Sequence, residues 1–226
     1  MSDATPPSDQ PAEGDATPPA SDRVRLRRKP VRGRHDPETI NAIIDAALIG
    51  VISFVQDGQP YGIPTNVWRE GDRLYWHASA GARLLRAASG NPVCVTLHHV
   101  DALVLARSAT NHTVNYRSVV VLGTAHMVTD AAHAEHALEG LIESIYPGRW
   151  AQLRPMTEKE RKETGVMYVD LAEASAKVRD EGAHDNEGDE TWPVWAGVIP
   201  VATKHGAPEP DEFVQPGTPE PVVRVR

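Results

Sequence analysis

The sequence predicts a mainly β protein, a small closed or split barrel with helices at its periphery. Apolar runs of strand length follow one another, and tight turns such as Asp57-Gly58 and Glu70-Gly71-Asp72 separate them. Successive short strands with tight turns are typical of an antiparallel meander and not of alternating strand–helix units. The helical patterns are too few to cover both faces of a sheet, so we expect them at the barrel's outside.

The elements can be placed in order along the chain. Asp36 is a suitable N-cap and Pro37 suits the first helical position, so the first helix begins there. Strands are predicted over 49–56, 61–68 and 73–78, a short helix over 80–89, and two long strands over 93–107 and 116–128. A helix capped by Asp130, a short helix opened by the capping-box pattern Thr157–Glu160 and a last strand over 166–171 complete the order.

The chain of 226 residues is long enough for one domain with its own core. Residues 1–22 are rich in Pro, Ala, Ser, Thr and Asp and are predicted to form a disordered tail. Residues 204–226 are rich in Pro and Glu and are predicted to be a loose C-terminal tail. Residues 23–203 remain as the domain, and its first basic residues, 23–29, are interpreted as a solvated lead-in.

Composition excludes several classes of protein. The net charge of −8 argues against a general nucleic-acid binder, which needs a basic face for phosphates. The single cysteine, Cys94, allows no disulfide framework, and its strand-like surroundings predict a small buried residue. No apolar run is long enough to cross a bilayer and no signal-peptide core is present, so we expect a cytoplasmic protein with no membrane partner.

Three segments contain residues that could contact a ligand. Ser79 and Arg83 lie where a strand turns into a helix, a place suited to a phosphate or to a plain strand–helix turn. Arg117 lies inside an apolar strand, where its charge must meet an anion or reach water. Pro64 withholds a ladder hydrogen bond and marks an edge or a bulge, which could leave backbone groups for a planar ligand or be an ordinary edge strand.

No pattern in the sequence identifies a catalytic residue or a metal site. His133 and His136 have helical spacing, but no carboxylate motif accompanies them, so they are interpreted as a solvated helix face. A serine hydrolase would need a nucleophile elbow, and no G-x-S-x-G is present. The sequence also contains neither a Walker A motif nor G-x-G-x-x-G, which excludes the common nucleotide-binding folds.

Taken together, several segments resemble one known family. They are Arg32–Arg34 with the first helix, Gly62–Thr65, Leu74–Ser79, Leu103–Ser108, Asn115–Val119, Ser175–Arg179 and Pro193–Val198. In this order they are similar to the flavin-nucleotide-binding branch of the pyridoxamine 5′-phosphate oxidase-like superfamily and to its nitroimidazole-reductase (Nim-type) proteins. The resemblance covers roughly residues 30–200.

The resemblance implies a split β-barrel of antiparallel Greek-key type that binds FMN between the subunits of a homodimer. It implies backbone contacts to the flavin from Pro64 and Thr65. It places His77, Ser79 and Arg83 around the phosphate or ribityl chain, and Tyr116, Arg117 and Ser118 along the cofactor. Lys177 would add positive charge near the phosphate, and Trp195 would cap the pocket. Catalysis would be the flavin's and would require no protein nucleophile, so the catalytic residues stay unknown.

The sequence departs from the named oxidases of this superfamily at one point. True pyridoxamine-phosphate oxidases carry an Arg-rich signature near the C-terminus, and here residues 192–201 and the Pro/Glu-rich tail replace it. We therefore expect an FMN-dependent oxidoreductase acting on a small molecule and not a vitamin B6 oxidase. The alternatives are a flavin-storing protein without turnover, a haem-binding relative that uses His77, His98 or His112, and a deazaflavin-dependent relative on the same barrel.

Overall fold

The computed structural model describes residues 17–224 and is built around one ten-stranded sheet whose paired strands are antiparallel. The strands are β1 (Gly33–Arg34), β2 (Ile49–Gln56), β3 (Gln59–Glu70), β4 (Arg73–Ser79), β5 (Pro92–Leu105), β6 (Thr113–Thr124), β7 (His126–Met127), β8 (Thr164–Asp170), β9 (Ala174–Arg179) and β10 (Gly197–Pro200). The helices are α1 (Pro37–Asp45), α2 (Arg83–Ala88), α3 (Ala131–Ile145) and α4 (Glu158–Glu163). The mainly β prediction is confirmed.

Local signals explain where the helices begin. The Asp36 carboxylate accepts the Thr39 N–H at 2.7 Å, and the Asp130 carboxylate accepts the His133 N–H at 2.8 Å. At α4 the Thr157 hydroxyl and the Glu160 carboxylate satisfy each other's backbone N–H groups, which is the predicted capping box. The predicted starts of α1, α3 and α4 are therefore confirmed.

The sheet order is β1-β9-β6-β5-β2-β3-β4-β8-β7, with β10 paired to β5. Alternate residues point inward, and the side chains that fill the interior include Ile52, Trp76, Leu97, Val121 and Met167. β8 crosses close to β6 at Gly123. A Cβ atom at that position would lie only 2.5 Å from Cγ2 of Val169. This close approach, which needs glycine, brings two non-neighbouring strands together and curls the sheet into a barrel.

The structure differs from the predicted elements at three places. The strand expected over 116–128 ends at Thr124, because Ala125 exchanges backbone hydrogen bonds with Gly90 and Asn91 and redirects the chain into β7. The strand over 166–171 is followed by a separate strand, β9, after a single 3₁₀ turn. β1 and β10 were not predicted at all, since strands this short carry almost no periodicity.

Both termini make contacts with the barrel inside the described range. The Ser21 hydroxyl donates to the Glu173 carboxylate, and the Arg224 N–H donates to the Ile145 carbonyl at 2.9 Å. The predicted disordered tail falls on residues 1–16, which lie outside the described residues, and on residues 17–22. No helix within residues 17–224 has the length and apolar character needed to span a membrane.

Candidate functional site

The pairing of β3 with β4 ends part-way along the two strands, and we call the place where they diverge the β3–β4 cleft. The two strands pair from Val67↔Trp76 to Glu70↔Arg73 and diverge beyond that point. Thr65 and His77 flank the opening, and the Thr65 hydroxyl donates to the His77 carbonyl at 3.4 Å. Pro64 lies on the same stretch of β3, paired with Val51 of β2 on its other side. Pro64 therefore lies at an edge, because β4 does not pair with this stretch of β3.

His77 has a buried polar atom at this cleft. Its Nδ1 is buried and, within the described part of the chain, makes no hydrogen bond. Burial lowers the pKa of His77, so the imidazole is held in its neutral form. An unpaired polar atom in a half-buried position costs free energy unless a ligand or water satisfies it.

The turn between β4 and α2 is less open than the sequence suggested. The Ala80 N–H donates to the Glu163 carbonyl at 2.8 Å, and the Ala82 N–H donates to the Ser79 carbonyl at 2.7 Å. These two amides are therefore already bonded. Ser79 is exposed, and the Arg83 guanidinium lies 4.7 Å from the centre of the Tyr61 ring. Arg83 remains a cation at the edge of the cleft that pairs with none of the described carboxylates.

The second group of predicted site residues lies on the neighbouring strands β6 and β9. Ser118 and Lys177 are paired in register, and the Ser118 hydroxyl donates to the Lys177 carbonyl at 3.3 Å. Tyr116 is half-buried and lies opposite Arg179. β2 and β5 lie between β3 and β6 in the sheet order, so the two groups are on strands that do not pair with each other. One chain thus holds the predicted site in two separate parts.

Arg117 meets an anion, but the anion belongs to the protein. Its guanidinium donates to both carboxylate oxygens of Asp101, with the Nη2–Oδ1 distance at 2.8 Å. Asp101 is the extra residue of a β-bulge between Val100 and Ala102, and the bulge aims its side chain at Arg117. Hydrogen bonding to Asp101 raises the pKa of Arg117.

Trp195 is not brought to either part of the site. Its side chain is 60% exposed and lies over Gly197, just before β10 pairs with β5. Trp192 nearby is 67% exposed. The residue predicted to cap the pocket therefore protrudes from this chain.

Sequence reasoning missed a buried polar network beside β6. The Arg179 side chain is 4% exposed and donates to the Asn115 side chain. It also donates to the carbonyls of Glu181 and Gly182, at 3.1 Å in both cases. The Glu181 carboxylate binds Arg32 through two hydrogen bonds of 2.8 and 2.7 Å. Hydrogen bonding to Arg32 lowers the pKa of Glu181. Nothing in the local sequence marks these residues, because the partners lie far apart along the chain.

The histidines do not form a metal centre within the described range. No group of three or more His, Cys, Asp or Glu side chains there could hold an ion. The interpretation of a solvated helix face is only half right: His136 lies near Glu70, but Nε2 of His133 is hydrogen-bonded to the buried Tyr75 hydroxyl at 3.1 Å. Cys94 is half-buried, and burial raises the pKa of its thiol.

Comparison with known proteins identifies the family. The sequence model described as pyridoxamine 5′-phosphate oxidase matches residues 36–178. The chain belongs to this family. No curated protein matches the sequence.

Two solved structures are similar over most of the chain. The flavocytochrome Anf3 from Azotobacter vinelandii is 41% identical, with a TM-score of 0.85, covering 90% of this chain and 95% of its own. A protein from Mycobacterium smegmatis described as binding FAD and haem is 31% identical, with a TM-score of 0.80, covering 84% and 94%. A Bacteroides thetaiotaomicron protein named as a candidate 5-nitroimidazole antibiotic resistance protein shares the fold at 20% identity and a TM-score of 0.54, covering 65% and 86%.

The split-barrel fold of the family's flavin-binding proteins is therefore that of this chain, as the resemblance implied. The residues at the β3–β4 cleft fit such a cofactor. The orphaned imidazole nitrogen of His77, which lies on the same face as Trp68, is suited to hydrogen-bond a ring edge, and the Arg83 guanidinium, over the Tyr61 ring, is suited to a phosphate. The β6–β9 group contributes fewer donors, because Arg117 and Ser118 are bonded within the protein.

Proposed function

We propose that this family member is a flavin-dependent redox protein that acts on a small molecule and binds its flavin between two copies of the chain. The observation that carries the proposal is the similarity, at 41% identity over 90% of the chain, to a flavocytochrome. The β3–β4 cleft supports it, because Nδ1 of His77 is buried there without a partner and Arg83 pairs with none of the described carboxylates. When bound, a flavin supplies hydride and electron transfer.

The chain's own residues would bind and orient the flavin. Pro64 and Thr65 would offer backbone groups from the diverging strand, and His77 would give or accept one hydrogen bond to the ring system. Ser79 and Arg83 would meet the phosphate. No proton-transfer residue is assigned, because the proposed chemistry needs none from the protein.

The flavin is FAD in this proposal, and FMN is the alternative expected from the sequence. FAD is favoured because the 31% identical relative is described as an FAD-binding protein. Chromatography of the ligand released by heat separates the two. Release of FMN alone would favour FMN, the cofactor expected from the sequence. A colourless protein that takes up neither flavin would overturn the whole proposal.

Haem is the second cofactor that we propose. The two solved relatives at 41% and 31% identity are described by names that include a cytochrome or haem. An axial histidine commonly offers one ring nitrogen to the metal while the other is bonded to a carbonyl. His112 meets this requirement, because its Nδ1 lies 2.9 Å from the Ser108 carbonyl and leaves Nε2 as the second nitrogen.

Haemin titration tests this assignment. The wild type should develop a Soret band, His112→Ala should lose or shift it, and His98→Ala should retain it as a matched exposed control. A wild-type protein that develops no Soret band would remove haem from the proposal. An unchanged band in His112→Ala would assign the iron to another residue.

A homodimer completes the proposed site. The two predicted groups lie on separate parts of one chain, so a second copy is needed to bring β6–β9 residues to a β3–β4 cleft. Exposed apolar side chains suited to such an interface follow β5 and β10: Leu103, Val198, Ile199, Val201, Trp192 and Trp195. Light scattering should give the mass of a dimer, and a monomer with flavin fully bound would contradict this part of the proposal.

A further inference from the structure

A continuous chain of aromatic rings lies on the outer face of β3, β4 and β8. The Trp68 and Tyr75 rings are stacked with centroids 5.8 Å apart, and the Tyr75 and Tyr168 centroids are 5.6 Å apart. The His126 ring stacks on Tyr168 at 5.3 Å. We call Trp68, Tyr75, Tyr168 and His126 the ring chain.

The ring chain connects the cleft with the surface. At one end the Trp68 ring lies 6.0 Å from the His77 ring, which belongs to the proposed flavin site. At the other end His126 is exposed. Trp68 and Tyr75 are 2% and 3% exposed, so the middle of the chain is shielded from water. Indole and phenol rings are the side chains that are most readily oxidised by one electron, apart from cysteine, and rings in contact favour electron transfer.

One member of the ring chain also has a base on its hydroxyl. The Tyr75 Oη lies 3.1 Å from Nε2 of His133 on α3. A phenol that loses an electron becomes a very strong acid, so the His133 tautomer whose Nε2 accepts the phenol proton makes the oxidation easier. His133 is half-buried, so a proton that moves to it carries the positive charge from the buried phenol towards solvent.

A neighbouring cation, itself paired with the exposed Asp170 carboxylate, disfavours a second positive charge on the rings. The Arg73 guanidinium lies 4.2 Å from the centre of the Tyr168 ring. Hydrogen bonding with Tyr75 raises the pKa of Arg73, and it stays protonated. A second positive charge on either phenol ring would be repelled, whereas a neutral tyrosyl radical would not.

We propose that Tyr75 and His133 form a redox-active pair in a ring chain that conducts electrons between the surface at His126 and the cofactor site beside His77. In the oxidation step a strong one-electron oxidant of the oxygen- or peroxide-derived radical class takes one electron from Tyr75 and is itself reduced by it. The O–H bond of Tyr75 breaks, and the proton forms an N–H bond at Nε2 of His133. Return of an electron along the ring chain reverses both changes. The role at the cofactor site rests on the proposed function.

Photo-oxidation of the purified protein tests the pair. A photoexcited ruthenium tris(bipyridine) complex with a sacrificial cobalt(III) acceptor supplies the oxidant, and electron paramagnetic resonance of frozen samples detects the radical. The wild type should give a neutral tyrosyl signal, and Tyr75→Phe should lose most of it, a several-fold decrease. His133→Gln keeps a hydrogen-bonding group but removes the base, and it should also lower the yield several-fold.

The control is Tyr146→Phe, which removes a more exposed tyrosine and should leave the signal unchanged. Circular dichroism shows whether each variant is folded, and Tyr75→Phe conserves the ring and its packing. Equal radical yields in wild type and Tyr75→Phe would overturn the proposal, as would a full yield in His133→Gln. Because the oxidant is added from outside, this result does not depend on bound flavin or haem, which the spectrum of the purified protein tests separately.

Discussion

The β3–β4 cleft and the β6–β9 group contain similar residue types but differ in how far their polar groups are satisfied. In the cleft, His77 Nδ1 has no partner in the described chain and Arg83 lies over an aromatic ring. Beside β6, Arg117 is paired with Asp101 and Arg179 with Asn115. An arginine in a strand therefore does not by itself indicate a ligand site. What distinguishes the two regions is whether the protein already supplies the hydrogen-bond partner.

The largest expected effect is on stability, at the satisfied region. Arg179→Ala removes a buried cation and leaves the Asn115 side chain and two carbonyls without their donor, so we expect a loss of about 3–5 kcal/mol in the free energy of unfolding. Urea denaturation measures it. Arg28→Ala, at an exposed position, is the matched control and should change stability by less than about 0.5 kcal/mol. Equal stabilities of the two variants would show that the hydrogen bonds of Arg179 contribute nothing to the free energy of unfolding.

The next effect concerns binding and compares the two regions directly. Arg83→Ala should weaken flavin binding by about 1.5–3 kcal/mol, the scale of a hydrogen bond to a charged group. Arg117→Ala should weaken it much less, because that guanidinium is held by Asp101. Fluorescence titration of the flavin-free protein with FAD and with FMN measures both.

The reverse ranking would contradict this comparison. If Arg117→Ala lost more affinity than Arg83→Ala, the Asp101–Arg117 pair would have to open for the cofactor, and the β6–β9 group would supply the phosphate site. Unchanged affinity in Arg83→Ala would remove Arg83 from the phosphate site whatever Arg117 does.

The sequence predicted the elements whose signals are local. Asp36 with Pro37 and the Thr157–Glu160 box each fix a helix start within one turn, and Asp57-Gly58 fixes the β2–β3 hairpin through two consecutive residues with positive φ. These signals act over a few residues, so they can be read without knowing the fold.

The contacts that decide the candidate site are long-range and could not be predicted in this way. Asp101 reaches Arg117 only because a bulge adds one residue to β5, and bulges have no sequence signature here. Arg179 finds Asn115 only because β9 pairs with β6. The sequence predicted that Arg117 meets an anion or reaches water, but it could not predict that the anion is Asp101. The His133–Tyr75 bond was missed for the same reason, since α3 must first pack on β4.

The smallest expected effect is a pH dependence of stability that comes from His77 in the flavin-free protein. Burial lowers its pKa in the folded state below the unfolded value of about 6.5, so the unfolded chain takes up a proton first as the pH falls. The contribution of neutral His77 is present above that unfolded pKa and decreases as the pH falls below it, until the folded pKa is reached. Urea midpoints at about pH 7.5 and about pH 5.5 should therefore differ less for His77→Gln than for the wild type. His35, whose pKa burial also lowers, contributes with the same sign and is left in place in both proteins, so that it cancels in the comparison. An identical pH response in wild type and His77→Gln would mean that water reaches the imidazole in the cleft, and the orphaned nitrogen would then no longer favour a ligand there.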